Sequence, residues 1–444
     1  MSKTSMHSYE LARPGSPAPI LDKYAIVPIL ACVFALIVSP LLDFFNPTDE
    51  QAMLNGSASL DNRIFWPAMA AISILLAMQN SSRLAKLTWP PNIKCLLAYL
   101  SFAGASVLWA FSPASSFVRF VQQAMIVTSI VLPAMLAARE ADMMRGLFLC
   151  FAFALILNVF FVLEGSVDTG NCSATQFCYQ GYFEGKNYLG ECAAAAFLLS
   201  LHEIVHRGQR RALGIIAAAT AIVLVSVSDS KTAFGLIIVS PILALLTLTV
   251  RKITRISPAI ILLSIPLCYV IVSKVSHIDV MGRMAYILYH DSTLTGRTII
   301  WDFANYEIGR SPLLGWGYQS FWLVPGSPSG EAPGWVKMMP NAHNGYYDTT
   351  LELGYVGLAL LYVFIIATLH AVGRVADRDP ARAWLLLSLA LFFVMWNYFE
   401  SLWMRGFEFL WIVFLIVAAE IGRYWQPLPL RRAAYQPVDQ VRFR

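Results

Sequence analysis

Apolar residues in this chain come in long unbroken runs, not in the spaced stripe of a soluble amphipathic helix. Runs of about 17–24 residues recur between short charged clusters, and that is the length of helix needed to cross a bilayer core. They lie at residues 24–45, 63–79, 94–112, 117–138, 145–165, 187–205, 211–228, 232–250, 256–275, 347–370, 381–399 and 406–424. Each is predicted to be helical, because a lone segment in lipid can satisfy its backbone N–H and C=O groups only internally. The predicted fold class is an all-α polytopic membrane protein of about 12 transmembrane helices.

Composition agrees with the pattern. The chain is 57% hydrophobic and 13% charged, against about 25% charged in soluble domains. No soluble domain of ordinary size can be carved from it. Residues 1–23 carry Pro14, Gly15, Pro17 and Pro19 and lack the layout of a signal peptide, so they read as a polar tail before a retained first span.

The net charge of +5 could suggest a nucleic-acid partner, but the basic residues fall in small groups between apolar runs. Their placement follows topology instead. With twelve spans, 22 of the 32 Lys and Arg fall on the side of both termini, which makes that side cytoplasmic. The expected organisation is a cytoplasmic tail (1–23), nine helices (24–275) with a periplasmic loop at 166–186, a long periplasmic loop (276–346), three helices (347–424) and a second cytoplasmic tail (425–444). Cys172 and Cys178 share the first loop and are expected to form a disulfide in an oxidising compartment, whereas Cys32, Cys95, Cys150, Cys192 and Cys268 lie in or beside spans as small apolar fillers. The long loop is rich in Gly, Pro and Trp and is expected to fold as short helices over the bundle, without a hydrophobic core of its own.

The sequence has no phosphate-cradling Gly-Lys-Ser/Thr loop, no Cys-x-x-Cys and no His-Glu-x-x-His, so no metal or other cofactor is expected. Three polar segments fall on the far side: Ser228-Asp-Ser-Lys-Thr232, Gly181-Tyr-Phe-Glu-Gly-Lys-Asn187, and the two ends of the long loop, Leu294-Thr-Gly-Arg-Thr-Ile-Ile-Trp301 and Asn341-Ala-His-Asn-Gly-Tyr346. Singly, each reads equally well as a hydrophilic turn. Together they place a neutral imidazole able to take a hydroxyl proton and several cations able to meet phosphate oxygens at one membrane face. That set suits group transfer from a lipid pyrophosphate.

In this order the segments resemble the superfamily of O-antigen ligases and Wzy-type polysaccharide polymerases, especially its ExoQ-like exopolysaccharide branch. Pro312-Leu-Leu-Gly-Trp-Gly317, Phe321-Trp322 and Leu351-Glu-Leu-Gly-Tyr-Val-Gly357 complete the likeness. The resemblance implies a metal-independent, inverting glycosyltransferase of the bacterial inner membrane. Such an enzyme moves glycan from an undecaprenyl-pyrophosphate carrier to an acceptor hydroxyl at the periplasmic face. It implies His343 as general base, with Arg297 and Lys231 stabilising the departing pyrophosphate. Lys231 stands where the ligases usually have Arg, a departure compatible with the polymerase branch. Arg119, Lys186, Asn187, Asn344 and Arg405 are further substrate-binding candidates, and Glu400 is placed to pair with one of the cations. Implied partners are the lipid-linked oligosaccharide, the bilayer, and assembly proteins such as a flippase or chain-length regulator. The alternatives are a ligase attaching glycan to lipid A core, a transporter, or a non-catalytic assembly protein. A transporter would need ionisable groups well inside the spans, whereas here the polar groups gather at one face.

Overall fold

The computed structural model describes residues 22–46, 59–138, 141–168, 178–205, 210–276 and 296–425. Among them the protein is all-helical apart from an isolated bridge between Val167 and Tyr179. The principal helices are α1 (Lys23–Phe45, with a π-helical turn at Phe34–Val38), α2 (Leu60–Gln79), α3 (Pro91–Ala105), α4 (Pro113–Leu136), α5 (Met143–Leu163) and α6 (Lys186–Val205). They continue with α7 (Arg211–Val227), α8 (Lys231–Thr254), α9 (Pro258–Ser276), α10 (Arg297–Arg310), α11 (Gly345–Ala376), α12 (Pro380–Trp396) and α13 (Phe409–Arg423).

Every expected apolar run is helical, but among the described residues only nine helices have the length and apolarity to cross a membrane. The other three are α7 and α12, of 17 residues each, and α13, of 15. Burial accounts for one of these. Every residue of α13 is buried, so it sits inside the bundle and has no lipid-facing stretch to match. The protein is thus a multi-span membrane protein in which the last described helix is a central post.

Helix starts follow local chemistry. Asp142, Asn344 and Asp379 accept hydrogen bonds from the backbone of Arg145, Tyr346 and Arg382 at 3.2, 3.0 and 2.9 Å, which satisfies first-turn donors of α5, α11 and α12. Pro91, Pro113, Pro258 and Pro380 open or nearly open their helices, where the missing N–H costs nothing.

Two motifs from the sequence prove to be physical partners. Helix α11 is broken at Gly354, whose φ is 65° and ψ −170°. Segment 312–317 lies in the break: Trp316 and Gly317 donate their N–H groups to the carbonyls of Leu351 and Glu352, both at 2.8 Å. In return Tyr355 donates to the Pro312 carbonyl at 2.8 Å and Val356 to that of Leu313 at 3.3 Å. Groups freed by the break are therefore paired within the protein, as a membrane setting demands. A Cβ on Gly354 would stand 2.1 Å from the Leu313 carbonyl oxygen, so the close approach itself excludes any other residue.

The long loop departs from expectation. Ile300, Ala304, Ile308, Phe321, Trp322, Ala332, Val336 and Ala342 form a buried cluster closed by Leu351 of α11. The loop therefore has a small core, built because α10 presents Ile300, Ala304 and Ile308 on one face at four-residue spacing. Cys178 is disulfide-bonded, while its expected partner Cys172 lies outside the described residues. The first segment of the long loop, including His277 and His290, also lies outside them. Cys32, Cys95, Cys150, Cys192 and Cys268 are free thiols.

Contacts between connections define two ends of the bundle. At one, Arg382 pairs with Asp142 at 2.8 Å, Arg251 with Asp377 at 2.9 Å, and Arg423 donates to the Ala141 carbonyl at 3.2 Å. At the other, residues 178–187, 228–231, 296–344 and 397–408 meet one another, and every residue named above as a site candidate lies there or lines its cavity.

Candidate functional site

His343 ends the long loop immediately before the cap of α11. Its backbone is left-handed, with φ 48°, a conformation a non-glycine residue adopts only when its surroundings fix it. Three contacts do so. The His343 N–H donates to the Asn341 side chain at 2.9 Å, the Trp301 indole donates to the Ala342 carbonyl at 3.0 Å, and Asp348 accepts from the Ala342 N–H at 3.1 Å. The Trp301 ring also stacks on Tyr347.

Glu400 is the centre of the arrangement. Its Oε2 meets His343 Nδ1 at 2.9 Å, and its Oε1 accepts from Arg297 Nη2 and from Asn187 Nδ2, both at 3.0 Å. These donors come from the α11 approach, the first residue of α10 and the first turn of α6. A carboxylate can only accept, so the bond to Nδ1 requires the imidazole proton to sit there. The opposite nitrogen, Nε2, then carries a lone pair and can take a proton. His343 keeps 32% of its side-chain surface exposed, against 15% for Glu400 and 16% for Arg297, so the imidazole is reachable while the carboxylate that holds it is enclosed.

The connection that carries Glu400 is fastened to α11 by its backbone. Gly345 donates to the carbonyls of Asn397 and Glu400 at 2.9 and 3.1 Å, and Asn344 donates to Ser401 Oγ at 3.0 Å. A Cβ on Gly345 would stand 2.3 Å from Asn397 Oδ1, so glycine is what lets the two segments meet. The Asn344 side chain caps α11 through Tyr346 and Tyr347 and donates to the Tyr398 carbonyl at 3.2 Å, a holding role in this structure.

The remaining candidates surround this centre. Lys186 pairs with Asp229 at 3.4 Å, in the turn that leads to Lys231 at the start of α8. Ser230 of that turn lies against Gly190, one helical turn beyond Asn187. Arg119 donates to the Gln319 carbonyl. Arg405 meets Asp348 at 3.1 Å and Glu352 at 3.0 Å. Burial opposes the charge on Arg405, but the two carboxylates outweigh it and raise the guanidinium pKa above its ordinary value.

Arg119 and Arg405 line a cavity of about 420 Å³. Facing them are Asp43, Glu184, Glu352 and Glu408, with Phe183, Tyr188, Trp322 and Phe407. Tyr188, next to Asn187, donates its hydroxyl to Glu408 at 3.2 Å, which ties the cavity wall to the Glu400 network. Glu408 lies just outside α13, three residues into the expected 406–424 span, because the helix starts at Phe409. Burial, with help from the Glu400 and Glu184 charges, pushes its carboxyl up to about 7. Burial also raises Glu184. Four carboxyls against two guanidiniums make this cavity a poor seat for a further anion and a good one for hydroxyl donors, with aromatic rings to cover C–H faces.

Asp348, Glu352, Glu408 and Tyr188 were not singled out by the sequence analysis. The available signal was the acidic pair Asp348 and Glu352, one turn apart at the start of an apolar helix.

Comparison with known proteins gives two findings. The family model described as O-antigen ligase matches residues 194–362, a stretch that includes Lys231, Arg297 and His343 but not Glu400. The chain is 27% identical over 320 residues to the exopolysaccharide production protein ExoQ of Rhizobium meliloti (strain 1021), covering 67% of this chain and 70% of that protein. The chain's resemblance is thus to the O-antigen ligase and Wzy-type polymerase superfamily, on its ExoQ-like side.

Proposed function

We propose that the protein is a polysaccharide polymerase that joins lipid-linked glycan units. The acceptor hydroxyl attacks C1 of the donor sugar and gives its proton to His343 Nε2. The C1–O bond to the carrier breaks, and undecaprenyl pyrophosphate leaves with the electron pair, inverting the anomeric centre. Glu400 holds the imidazole in the required tautomer and balances the imidazolium that forms, as a third group orients the base in other base-assisted transfers. Arg297 keeps Glu400 in place, and its charge, with that of Lys231, offsets the growing negative charge on the leaving group. The cavity beside Glu408 receives sugar. On this reading the face is periplasmic and the membrane is the bacterial inner membrane.

The observation that carries the reading is the 2.9 Å contact of Glu400 with His343 Nδ1, made by a half-buried His whose backbone is held left-handed. The polymerase reading is preferred to the ligase because the curated relative is an exopolysaccharide production protein. The test is turnover of a lipid-pyrophosphate-linked oligosaccharide by purified protein in liposomes. His343→Ala should lower the rate by about 10²–10⁴-fold while leaving donor binding largely intact. Parental turnover by a folded His343→Ala protein would refute the base assignment. Product attached to lipid A core, with no chain growth, would replace polymerase by ligase.

A further inference from the structure

At the end of the bundle away from His343, α9 and α11 diverge around a groove of about 310 Å³. Its walls are almost wholly apolar, with Ile260 and Leu263 on one side and Val363, Ile366 and Ala367 on the other. Helix α9 is the least enclosed candidate span, with 17% of its apolar window buried against 33% or more in the others. Its outer face and the groove therefore open to the hydrocarbon, where an acyl chain is the available filler.

The mouth of the groove is polar and cationic. His370 and Ser257, both lining residues, meet at 2.8 Å between His Nδ1 and the hydroxyl. Trp425 closes the same end, and the Arg374 guanidinium lies over its ring, its central carbon 3.3 Å from the centroid. Lys252 and Arg255 are exposed on the turn that leads into Ser257. Arg251 differs, being neutralised by Asp377. A guanidinium stacked on an aromatic face has its N–H groups pointing outward in their own plane, parallel to the ring, an arrangement suited to phosphate oxygens. A Trp at the membrane–water boundary and cations beside an apolar slot together match a phospholipid with negative charge, one acyl chain in the slot and its phosphate among Arg374, Arg255 and His370.

We propose that this groove is a binding site for an anionic phospholipid of the surrounding leaflet. The proposal is independent of the reaction assigned to the other end of the bundle. Charge complementarity selects the headgroup, and the apolar slot supplies the hold that a solvated basic turn lacks.

The test is native mass spectrometry of the full chain released from nanodiscs of phosphatidylglycerol and phosphatidylethanolamine in equal amounts. The parental protein should retain phosphatidylglycerol in preference, by about thirtyfold, as expected if two headgroup cations contribute about 1 kcal/mol each. Arg374→Gln with Arg255→Gln should abolish that preference. Ile260→Trp, which fills the slot but leaves the cations, should lower retention of both lipids. Each variant is first compared with the parent by thermal melting, and any that is destabilised is replaced by Leu263→Trp or by Arg374→Gln alone. Equal retention of the two lipids by the parental protein, or a preference undiminished in the headgroup variant, would overturn the proposal. So would unchanged retention in the filled groove.

Discussion

At the end of the bundle that holds His343, a single carboxylate, Glu400, serves donors from three separate elements, and Asp348 and Glu352 share Arg405. At the opposite end the bridges between connections are one to one: Arg251 with Asp377 and Arg382 with Asp142. Backbone strain divides the same way. Of the six described non-glycine residues with positive φ, Asp229, Gln319, Leu323, His343 and Met404 belong to the first end, and only Arg255, which caps the C-terminus of α8, belongs to the second. Paired charges at a turn need only hold a connection. Shared charges on a strained backbone hold particular atoms in fixed relation, and that is the requirement of a reacting site.

The sharpest way to break this comparison is to ask whether the two ends face different compartments. In whole cells, with Cys268 replaced by Ser, a cysteine at exposed Glu331 should react fully with a membrane-impermeant maleimide. One at exposed Lys86 should react only after the inner membrane is permeabilised. The expected contrast is all or none. Labelling of Glu331→Cys only in permeabilised cells would invert the orientation and remove the periplasmic assignment of the site.

The next effect is smaller and probes sharing itself. Glu400→Gln keeps the shape of the side chain but offers one acceptor oxygen where the network uses two, so either His343 or the Arg297 and Asn187 side must face an amide NH₂. Turnover should fall by about 10–10³-fold, because the imidazole loses its fixed tautomer. Parental turnover by a folded Glu400→Gln protein would remove Glu400 from the groups that serve the reaction.

How much of this was legible in the sequence depends on the range of the interaction. Among the described residues the apolar runs marked every candidate membrane helix because each must satisfy its own backbone, a local requirement. His343, Arg297, Lys186 and Asn187 stood out because they interrupt apolar context in short polar segments. Their convergence on Glu400 was not legible, since residues 187, 297, 343 and 400 come from four separate segments that meet only in the folded bundle. The core of the long loop was missed for a similar reason: Phe321, Trp322 and Val336 become a cluster only when α10 and Leu351 close over them. The pairing of segment 312–317 with the break in α11 was visible as two glycine-bearing motifs, but nothing local said that each exists to complete the other.

A third test uses pH. The Glu408 carboxyl, at about 7 in the fold, lies above its ordinary value of 4.5 because burial and neighbouring carboxylates disfavour its charge. Between those values the folded protein holds a proton that the unfolded chain has released. Stability from this group is therefore full below pH 4.5 and is lost as pH rises through 7. The melting midpoint in detergent should drop from pH 5.5 to pH 8, and Glu408→Gln should flatten that slope by on the order of 3–5 °C. An identical slope in the variant would mean that Glu408 is not the group titrating.

The smallest effect is expected at the far end, where Arg251→Ala removes one member of a simple pair. Asp377 keeps 52% of its side-chain surface exposed, so it can return to water when its partner is lost. The change should therefore cost about 0–1 kcal/mol and move the melting midpoint by no more than about 2 °C. Turnover should stay within about twofold of the parent, since no group in the Glu400 network touches this end. The contrast with Glu400→Gln is the point of the measurement. Both substitutions remove one charge from a bridged pair, and only one removes a shared acceptor. If Arg251→Ala lowered turnover tenfold at normal stability, the single pairs could not be simple fasteners. The two ends would then be coupled through α8 and α11, and the division between holding and reacting charges would fail.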